Sequence, residues 1–535
     1  MSPAHLNVER FDNSKHNIIL ISDHTDTLFM SKTIGPYKVA RELRLAGYEV
    51  AVLHHIHIFP YEEIEHILTN LISAKTLFVG FNNMFYKTIN KPLTNELHKD
   101  GIMYSDKELG SMLPHGIEKN ISLKTCIKTA NPTCKLVLGG PTAINSELNQ
   151  DFDYVVVGYA DISVVNLANH LAINEPLKKS YKSISGPIII SDAKAEGFDF
   201  VNSQMEYKSY DCILPGETLP LEVARGCIFD CAFCSYPLNG KKKLDFIKRV
   251  DLLTAELNNN YEKFGITRYL MGDDTFNDAV EKAQMIYEVS KQLPFNLEYW
   301  AFVRLDLMAA HPETIDPLFN SGLRACHFGI ETFNKDSGKS VGKGMDKERL
   351  LSTLSYIKSK WGDQVMLHGS FIAGLPHETV DSLNETFDIL MDKQRCPLDS
   401  WIMHPFLMYD KSTGVDGFSS RITKDPESYG YRPLNKIPNT DNLDWETDHL
   451  NYSTVVKLSE KFNQQASLLK RNKISGSASF FMASLGFELG FSANKIHFDF
   501  DWHTVNLKKQ DRSDEYKTKF YRLFNLPKFP TQDQI

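Results

Sequence analysis

Through the first 185 residues, short apolar runs alternate with amphipathic stretches. "NIILIS" (17–22) reads as a buried strand, "GPYKVARELRLAG" (35–47) as an amphipathic helix stopped by Gly47, and "YEVAVLHH" (48–55) as a second strand. "EEIEHILTNLISA" continues as a helix, and "TLFVGF", "KLVLGG" (135–140) and "DYVVVG" (153–158) as further strands. This alternation predicts an open, doubly wound α/β domain. The polar stretch from Asn82 to Glu118 is too long for a routine connection and reads as a lid, an insertion or a disordered segment.

A second alternation begins after residue 185. "VDLLTAELNNNYEKFG" (250–265) has helical periodicity and ends at a capping glycine, and "TRYLMG" follows as a strand with Asp273 and Asp274 at its carboxyl end. "HPETIDPLFNSG" reads as helix, "RACHFGIE" as strand, "DKERLLSTLSYIKSKWG" as helix and "QVMLHGSFIAG" as strand. Such a series builds right-handed parallel βαβ units. Beyond about residue 412 the chain is rich in Gly, Pro, Asn, Asp and Ser and reads largely as loop, followed by a helix over about 453–470. The expected division is therefore 1–185, 186–412 and 413–535, the last an accessory region that bears on the substrate.

Composition changes this picture little. The 535 residues, 42% hydrophobic and 24% charged, belong to a soluble multidomain protein. No apolar run is long enough to span a membrane and no export signal opens the chain, so a cytoplasmic location is expected. The net charge of -8 carries no general nucleic-acid signature.

Cysteine spacing changes it a great deal. Five of the eight cysteines are scattered, but Cys227, Cys231 and Cys234 crowd into "LEVARGCIFDCAFCSYPLNG" (221–240). A structural zinc site wants a fourth ligand, and haem attachment wants a histidine where Ser235 stands. Three thiolates spaced C-x3-C-x2-C suit a cubane iron–sulfur cluster with one iron left open. Three free thiols, or zinc completed by a remote residue, remain the alternatives.

The motif, with Phe233 before its last cysteine, resembles the radical S-adenosylmethionine (radical SAM) superfamily. "YLMGDDTFN" (269–277), "WAFVRLDLM" (300–308), "ACHFGIETFNKDSGKSVGKG" (325–344) and "GSFIAGLPHET" (369–379) follow as successive barrel strands do there. The resemblance implies a partial (β/α)6 TIM-type barrel with its chemistry at the carboxyl ends of the strands. It implies a 4Fe–4S cluster on Cys227, Cys231 and Cys234. It also implies S-adenosylmethionine held by the Phe233 backbone, Asp273, Asp274, Arg304, Glu331 and Gly374. Arg304 would balance the carboxylate of that cofactor, and Gly374 would let the backbone approach its adenine. Trp401, His404 and Asp410 fall where a sixth strand would close the barrel.

An open α/β domain directly before such a barrel is similar to the cobalamin-binding branch of the superfamily, whose first domain is Rossmann-like. The resemblance then implies cobalamin at Gly139, Gly140 and Gly158. The usual Asp-x-His-x-x-Gly signature is absent, since Asp23 and His24 are adjacent, and the position usually acidic after "VVVGY" is Asp161. Bound cobalamin would therefore lack a histidine ligand. "HHIHI" places His55 and His57 on one strand face with no carboxylate or thiol in sequence to join them, so those histidines read as solvated or satisfied rather than metal-binding.

The implied activity is reductive cleavage of S-adenosylmethionine to a 5′-deoxyadenosyl radical, with cobalamin-dependent methylation of an unactivated carbon. A cobalamin-independent oxidation or rearrangement, or an inactive cluster-binding protein, are the alternatives. Methylthiolation is disfavoured, because a second cluster needs three cysteines in the first domain and only Cys126 and Cys134 are there. The implied partners are an electron donor such as flavodoxin or ferredoxin and an unidentified substrate.

Overall fold

A computed structural model describes residues 9–22, 30–82, 117–140, 152–183, 186–192, 194–409, 419–437, 442–490 and 501–530. The first alternation folds into a sheet of β1 (Asn17–Ile21), β2 (Glu49–Leu53), β3 (Thr76–Asn82), β4 (Lys135–Gly139), β5 (Tyr154–Gly158), β6 (Ser180–Lys182) and β7 (Ile188–Asp192). The order is β2-β1-β3-β4-β5-β7-β6, parallel except where β6 meets β7. Alternate residues of β1 enter two cores. Ile18 and Leu20 pack with Tyr37, Leu43 and Leu167, while Ile19 and Ile21 pack with Ile64, Ile67 and Leu123. Burial on both faces is what an all-apolar strand demands. The connections reverse direction between β1 and β3, so a crevice opens beyond their carboxyl ends.

Two details differ from the expected pattern. The sheet runs past residue 185, because the apolar "PIII" run supplies β7, which pairs with β5. Strand β2 stops at Leu53 rather than His55, since His55 turns left-handed (φ 56°) into a short 3-10 turn at Ile56–Ile58. Residues 83–116, most of the expected lid or insertion, lie outside the described residues, as do Asp23 and His24.

The second alternation forms β8 (Thr218–Leu221), β9 (Arg268–Met271), β10 (Glu298–Val303), β11 (Leu323–Glu331), β12 (Met366–Ala373) and β13 (Ser400–Pro405). These six strands pair in chain order and all in parallel, a partial barrel. Tyr299, Ala301, Val303, Cys326 and Phe328 point outward and are fully buried beneath the covering helices. Each such side chain contributes roughly 1.5–3 kcal/mol relative to exposure.

The C-terminal region is more ordered than its composition foretold. It supplies a small antiparallel sheet of β14 (Met408–Tyr409), β15 (Arg432–Lys436) and β16 (Asn442–Glu446), ordered β14-β16-β15. It also supplies three helices, Tyr452–Leu468, Gly476–Ser484 and Trp502–Phe524. The helix Gly476–Ser484 lies under the amino ends of the barrel strands. Phe480 packs there on Trp300, Ala325 and Met366, and its carbonyl accepts from Thr218 Oγ1 at 3.0 Å. The last helix crosses to the first sheet, where Tyr516, Phe520 and Phe524 join its second core and Tyr516 Oη donates to the His54 carbonyl at 3.1 Å. The described residues contain no helix long and apolar enough to cross a membrane.

Because Phe480 forms the barrel floor, Phe480→Ala should cost about 3–5 kcal/mol, the usual price of an aromatic-sized cavity. Urea unfolding of the two proteins measures this, and a difference below about 1 kcal/mol would mean that the floor collapses around the gap.

Candidate functional site

The cysteine loop follows β8 and is pinned from several sides. Gly226 has φ +71°, and a side chain there would lie 2.4 Å from the Leu238 carbonyl, so only glycine lets the loop fold back on itself. The Cys227 amide donates to that carbonyl at 3.2 Å, and Ala232 N donates to the Val341 carbonyl beyond β11 at 3.1 Å. Cys227 Sγ lies 3.3 Å from Thr275 Oγ1, and Arg304 Nη1 donates to Cys231 Sγ at 3.3 Å. Burial pushes the Cys227 and Cys234 thiols above their usual range. The three thiols are not collapsed together: among the described residues no group of three His, Cys, Asp or Glu side chains is placed to hold a single metal ion.

The strand ends surround this loop. Asp273 is fully engaged: it accepts from Val223 N at 2.8 Å and Ala224 N at 3.0 Å, and pairs with the buried Lys282 at 2.6 Å. Asp274 is different, because its Oδ2 is buried with no hydrogen-bond partner among the described residues. Burial, then the neighbouring Asp273, raise its carboxyl to about 6. Glu331 ends β11 with φ +70°, a strained conformation for a residue with a side chain, and lies 3.5 Å from Lys343 Nζ. Lys343 also donates to the Gly329 carbonyl at 2.6 Å. At Gly374 (φ +88°) a side chain would meet Trp445 at 2.6 Å. The amide of Gly374 donates to Glu378 Oε2 at 2.8 Å, and its carbonyl accepts from Tyr431 Oη at 2.6 Å.

The first sheet meets the barrel at this edge. Asp161, after β5, accepts from Arg225 Nη1 at 2.8 Å and Nη2 at 2.9 Å, two residues before Cys227. Burial alone would raise the Asp161 carboxyl, but the Arg225 hydrogen bonds and the charges of Lys38 and Arg225 hold it below the ordinary range. The Arg225 guanidinium also pairs with Glu222 at 3.1 Å and lies over the Tyr159, Phe198 and Phe200 rings. Glu222 in turn pairs with Lys38 at 2.7 Å. Gly139 and Gly140 end β4 and Gly158 ends β5, with φ +130° at Gly140 and +96° at Gly158.

Residues 221–390 match a protein-family model described as the Radical SAM superfamily. The barrel is a radical SAM domain. An uncharacterized methyltransferase from Pyrococcus horikoshii is 26% identical over 283 residues, 48% of this chain and 58% of that protein. A bacteriochlorophyllide d C-12(1)-methyltransferase from Chlorobaculum tepidum is 22% identical, over 48% of this chain and 55% of its own length. The chain thus matches a little over half the length of these curated relatives. In fold it is similar to the radical S-adenosylmethionine methyltransferase TsrM from Kitasatospora setae, solved with cobalamin and a [4Fe-4S] cluster. The TM-score is 0.61 at 13% identity, with 94% of this chain and 100% of that one covered. It is similar also to the cobalamin-dependent S-adenosylmethionine radical enzyme OxsB, with a TM-score of 0.58 at 13% identity, over 96% and 76% of the two chains. A Rossmann-like domain ahead of a radical SAM barrel is the architecture they share.

Within the radical SAM domain the residues singled out from sequence separate into two groups. Cys227, Cys231, Cys234, Asp274 and Glu331 gather around one edge of the barrel, and Phe233 sits half-buried between the last two cysteines. Asp273, Arg304 and Gly374 serve their neighbours instead. Arg304 is not a free counter-charge: it pairs with Asp306 through Nε at 3.0 Å, contacts Cys231, and stacks over Phe229 at 3.8 Å. Gly374 makes room for Trp445, and both its backbone groups are engaged. Donors at the sulfurs of Cys227 and Cys231 fit thiolates that carry a cluster. Lys343, Asp306, Thr275 and Gly226 escaped the sequence reading. Of these only Gly226, directly before the first cysteine, carried a local signal.

The histidine motif is also corrected. His55 and His57 do not share a strand face, and a carboxylate from a remote segment reaches His55: Glu217 lies 3.8 Å from its Nε2 and 3.1 Å from Lys32 Nζ. His54 Nε2 accepts from Thr33 N at 3.1 Å. This network is fully buried. Trp401 packs outward against Phe387 rather than toward a substrate, and Asp410 lies outside the described residues.

Asp274 gives a pH test. Its folded-state carboxyl is raised, so the chain gains stability below the ordinary carboxylate range and loses it as pH climbs to about 6. Over that window the protein should lose about 3 kcal/mol relative to Asp274→Asn, at about 1.4 kcal/mol per unit. Parallel urea titrations from acid to neutral pH check this. Identical pH profiles would show that Asp274 is ordinarily solvated.

Proposed function

We propose that this chain binds a 4Fe–4S cluster on Cys227, Cys231 and Cys234 and cleaves S-adenosylmethionine, in a cobalamin-dependent methylation of an unactivated carbon. The observation that carries the reading is the three-thiol loop, with Arg304 against Cys231, set at the barrel edge beside the open oxygen of Asp274. When bound and reduced, the cluster supplies the electron that cleaves S-adenosylmethionine to methionine and a 5′-deoxyadenosyl radical.

The chain's own residues hold and shield that chemistry. Arg304 and Thr275 stabilise negative charge on Cys231 and Cys227, while burial disfavours it, so loading the site releases protons. Asp274 and Glu331 offer carboxylates to the ammonium and ribose groups of S-adenosylmethionine. Asp273, locked by Lys282, holds the β8 and β9 ends together and does not move. The backbone of Phe233, between Cys231 and Cys234, would meet the adenine.

Cobalamin would occupy the crevice between the two carboxyl edges. Gly139, Gly140 and Gly158 keep side chains out of it. Among the described residues no imidazole of the first sheet is offered there, because His54 and His55 are turned into the buried network with Thr33, Lys32 and Glu217. The corrin would be held without a histidine ligand. The same observation favours the second reading, a cobalamin-independent oxidation or rearrangement on the same barrel. Electrons would come from a flavodoxin or ferredoxin, in a reducing cytoplasm that keeps the thiols free.

Anaerobic reconstitution should load about four irons with broad visible absorption. Cys227→Ala, Cys231→Ala and Cys234→Ala should each abolish it, whereas Cys212→Ala and Cys396→Ala, in the packed core, should not. With dithionite the loaded protein should release 5′-deoxyadenosine or S-adenosylhomocysteine. Stoichiometric zinc without iron uptake would sink the reading.

Cobalamin is tested separately. Hydroxocobalamin should bind at micromolar concentration with the absorption of a corrin that has lost its lower base. No binding would leave the first domain a structural cap and transfer the proposal to the cobalamin-independent reading.

A further inference from the structure

The inward faces of the barrel strands carry a second, uncharged surface below the cluster. On β10 the outward residues are fully buried, yet Phe302 is 39% exposed. It shares its face with Trp300, whose ring lies 4.6 Å away and whose other side rests on the helix floor at Phe480. Neighbouring strands repeat this contrast. His327, Gly329, Ser370, Ile372 and His404 are half-buried, while residues between them on the outward face are buried. The inward positions toward the carboxyl ends are therefore accessible, while Trp300, Ala325 and Met366 below them are buried on the helix Gly476–Ser484.

The side chains on this face form an aromatic and imidazole wall. The His327 ring lies 4.8 Å from Phe302, 6.0 Å from Trp300 and 4.7 Å from His368. His368 Nδ1 shares a hydrogen with Ser400 Oγ at 2.7 Å, which fixes the orientation of that ring. His404 is close enough to lower the affinity of both other rings for a proton. Burial, then His404, hold His327 at about 4, and burial lowers His368 further, so these two imidazoles are neutral near pH 7. A neutral imidazole offers one donor and one acceptor. The permanent charges nearest this wall, Arg304 and the Glu331–Lys343 pair, stand at the strand ends and are engaged with Asp306, Cys231 and each other.

We infer that the lumen between Phe302, His327, His368 and His404 is the seat of the substrate, and that it selects a planar, uncharged heteroaromatic ring. The ring stacks on Phe302 and exchanges hydrogen bonds with His327. An anionic group is disfavoured there, since it would meet the neutral His327 and His368, and the described cations at the strand ends are already engaged. An aliphatic chain would leave the His327 nitrogens without the partner a heteroaromatic ring supplies. This deepens the proposed function and rests on it for the position of the reacting carbon, because a ring seated here lies beneath the cluster edge. His327 is assigned as a positioning and specificity residue, not a catalytic one.

The test uses the full chain, reconstituted with its cluster, in saturating S-adenosylhomocysteine so that an adenine subsite is occupied. Ligand-detected NMR compares benzimidazole, its carbocyclic analogue indene and the anion benzoate at mildly alkaline pH. Benzimidazole should bind about tenfold more tightly than either, the effect of one well-made hydrogen bond. His327→Leu should erase the preference over indene while leaving indene binding unchanged. Phe302→Ala, at an exposed position that folding tolerates, should weaken both rings alike. Absence of benzimidazole binding, a preference over indene that survives in His327→Leu, or tighter benzoate binding would each overturn the assignment. Release of 5′-deoxyadenosine by the wild type in the absence of substrate is measured alongside. Its absence from the wild type, with the ring preference intact, would sink the proposed function and leave the lumen assignment standing.

Discussion

The bidentate pair between Asp161 and Arg225 decides where the two carboxyl edges of this protein meet. Asp161 leaves the last long strand of the first sheet, and Arg225 stands two residues before the first cluster cysteine. Neither group can be solvated, so each requires the other in one geometry. A buried ion pair of this kind adds little net stability compared with apolar packing, but removing one partner costs about 3–5 kcal/mol. Its role is orientation. Lys38, Glu222 and the rings of Tyr159, Phe198 and Phe200 surround the guanidinium and remove its other options. A doubly wound sheet offers its crevice at the carboxyl edge, and a partial barrel offers its chemistry at the same edge. The pair turns these two edges toward each other.

The C-terminal region completes what the six strands leave open. A six-stranded barrel has a wide lumen that a full eight-stranded one fills with side chains. Here the floor comes from Phe480 and its helix, and the flank from Tyr431 and Trp445 packed on Gly374. The last helix then returns to the first sheet through Tyr516 and Phe520. Three separate stretches of chain therefore lock one arrangement. The stretch that composition marked as mostly loop supplies that flank through Tyr431 and Trp445, and the helix after it supplies the bottom.

The elements were legible because burial on two faces demands long apolar runs, and β1, β3, β5 and β12 have them. The cysteine triplet was legible because its three ligands lie within eight residues. What escaped depends on contacts between distant segments. Arg304 read as a counter-charge for a ligand, but Asp306, two residues on, already occupies its fork. Gly374 read as an approach for a ligand, but Trp445, 71 residues later, fills the space. His55 had no partner in sequence, and Glu217 reaches it only through the fold. Local pattern identified which residues stand at the edge. It could not say which of them were already taken.

That distinction orders the charges at the site. Burying a carboxylate is tolerable when a cation or several amides meet it. Asp161 has Arg225, Glu222 has Lys38, Asp273 has Lys282 and two amides, and Glu331 has Lys343. Glu378 is met by Thr332 and two amides, though burial still raises it to about 7. Asp274 alone among these carboxylates keeps an oxygen without a partner among the described residues. Burial raises Asp273, Glu331 and Glu378 as well, so the unpartnered oxygen, not the raised carboxyl, sets Asp274 apart and suits the ammonium group proposed for it. An ammonium group brought to Asp274 would restore its charge and recover the energy its burial costs. The strain is thus stored in the place where the proposed cofactor would release it.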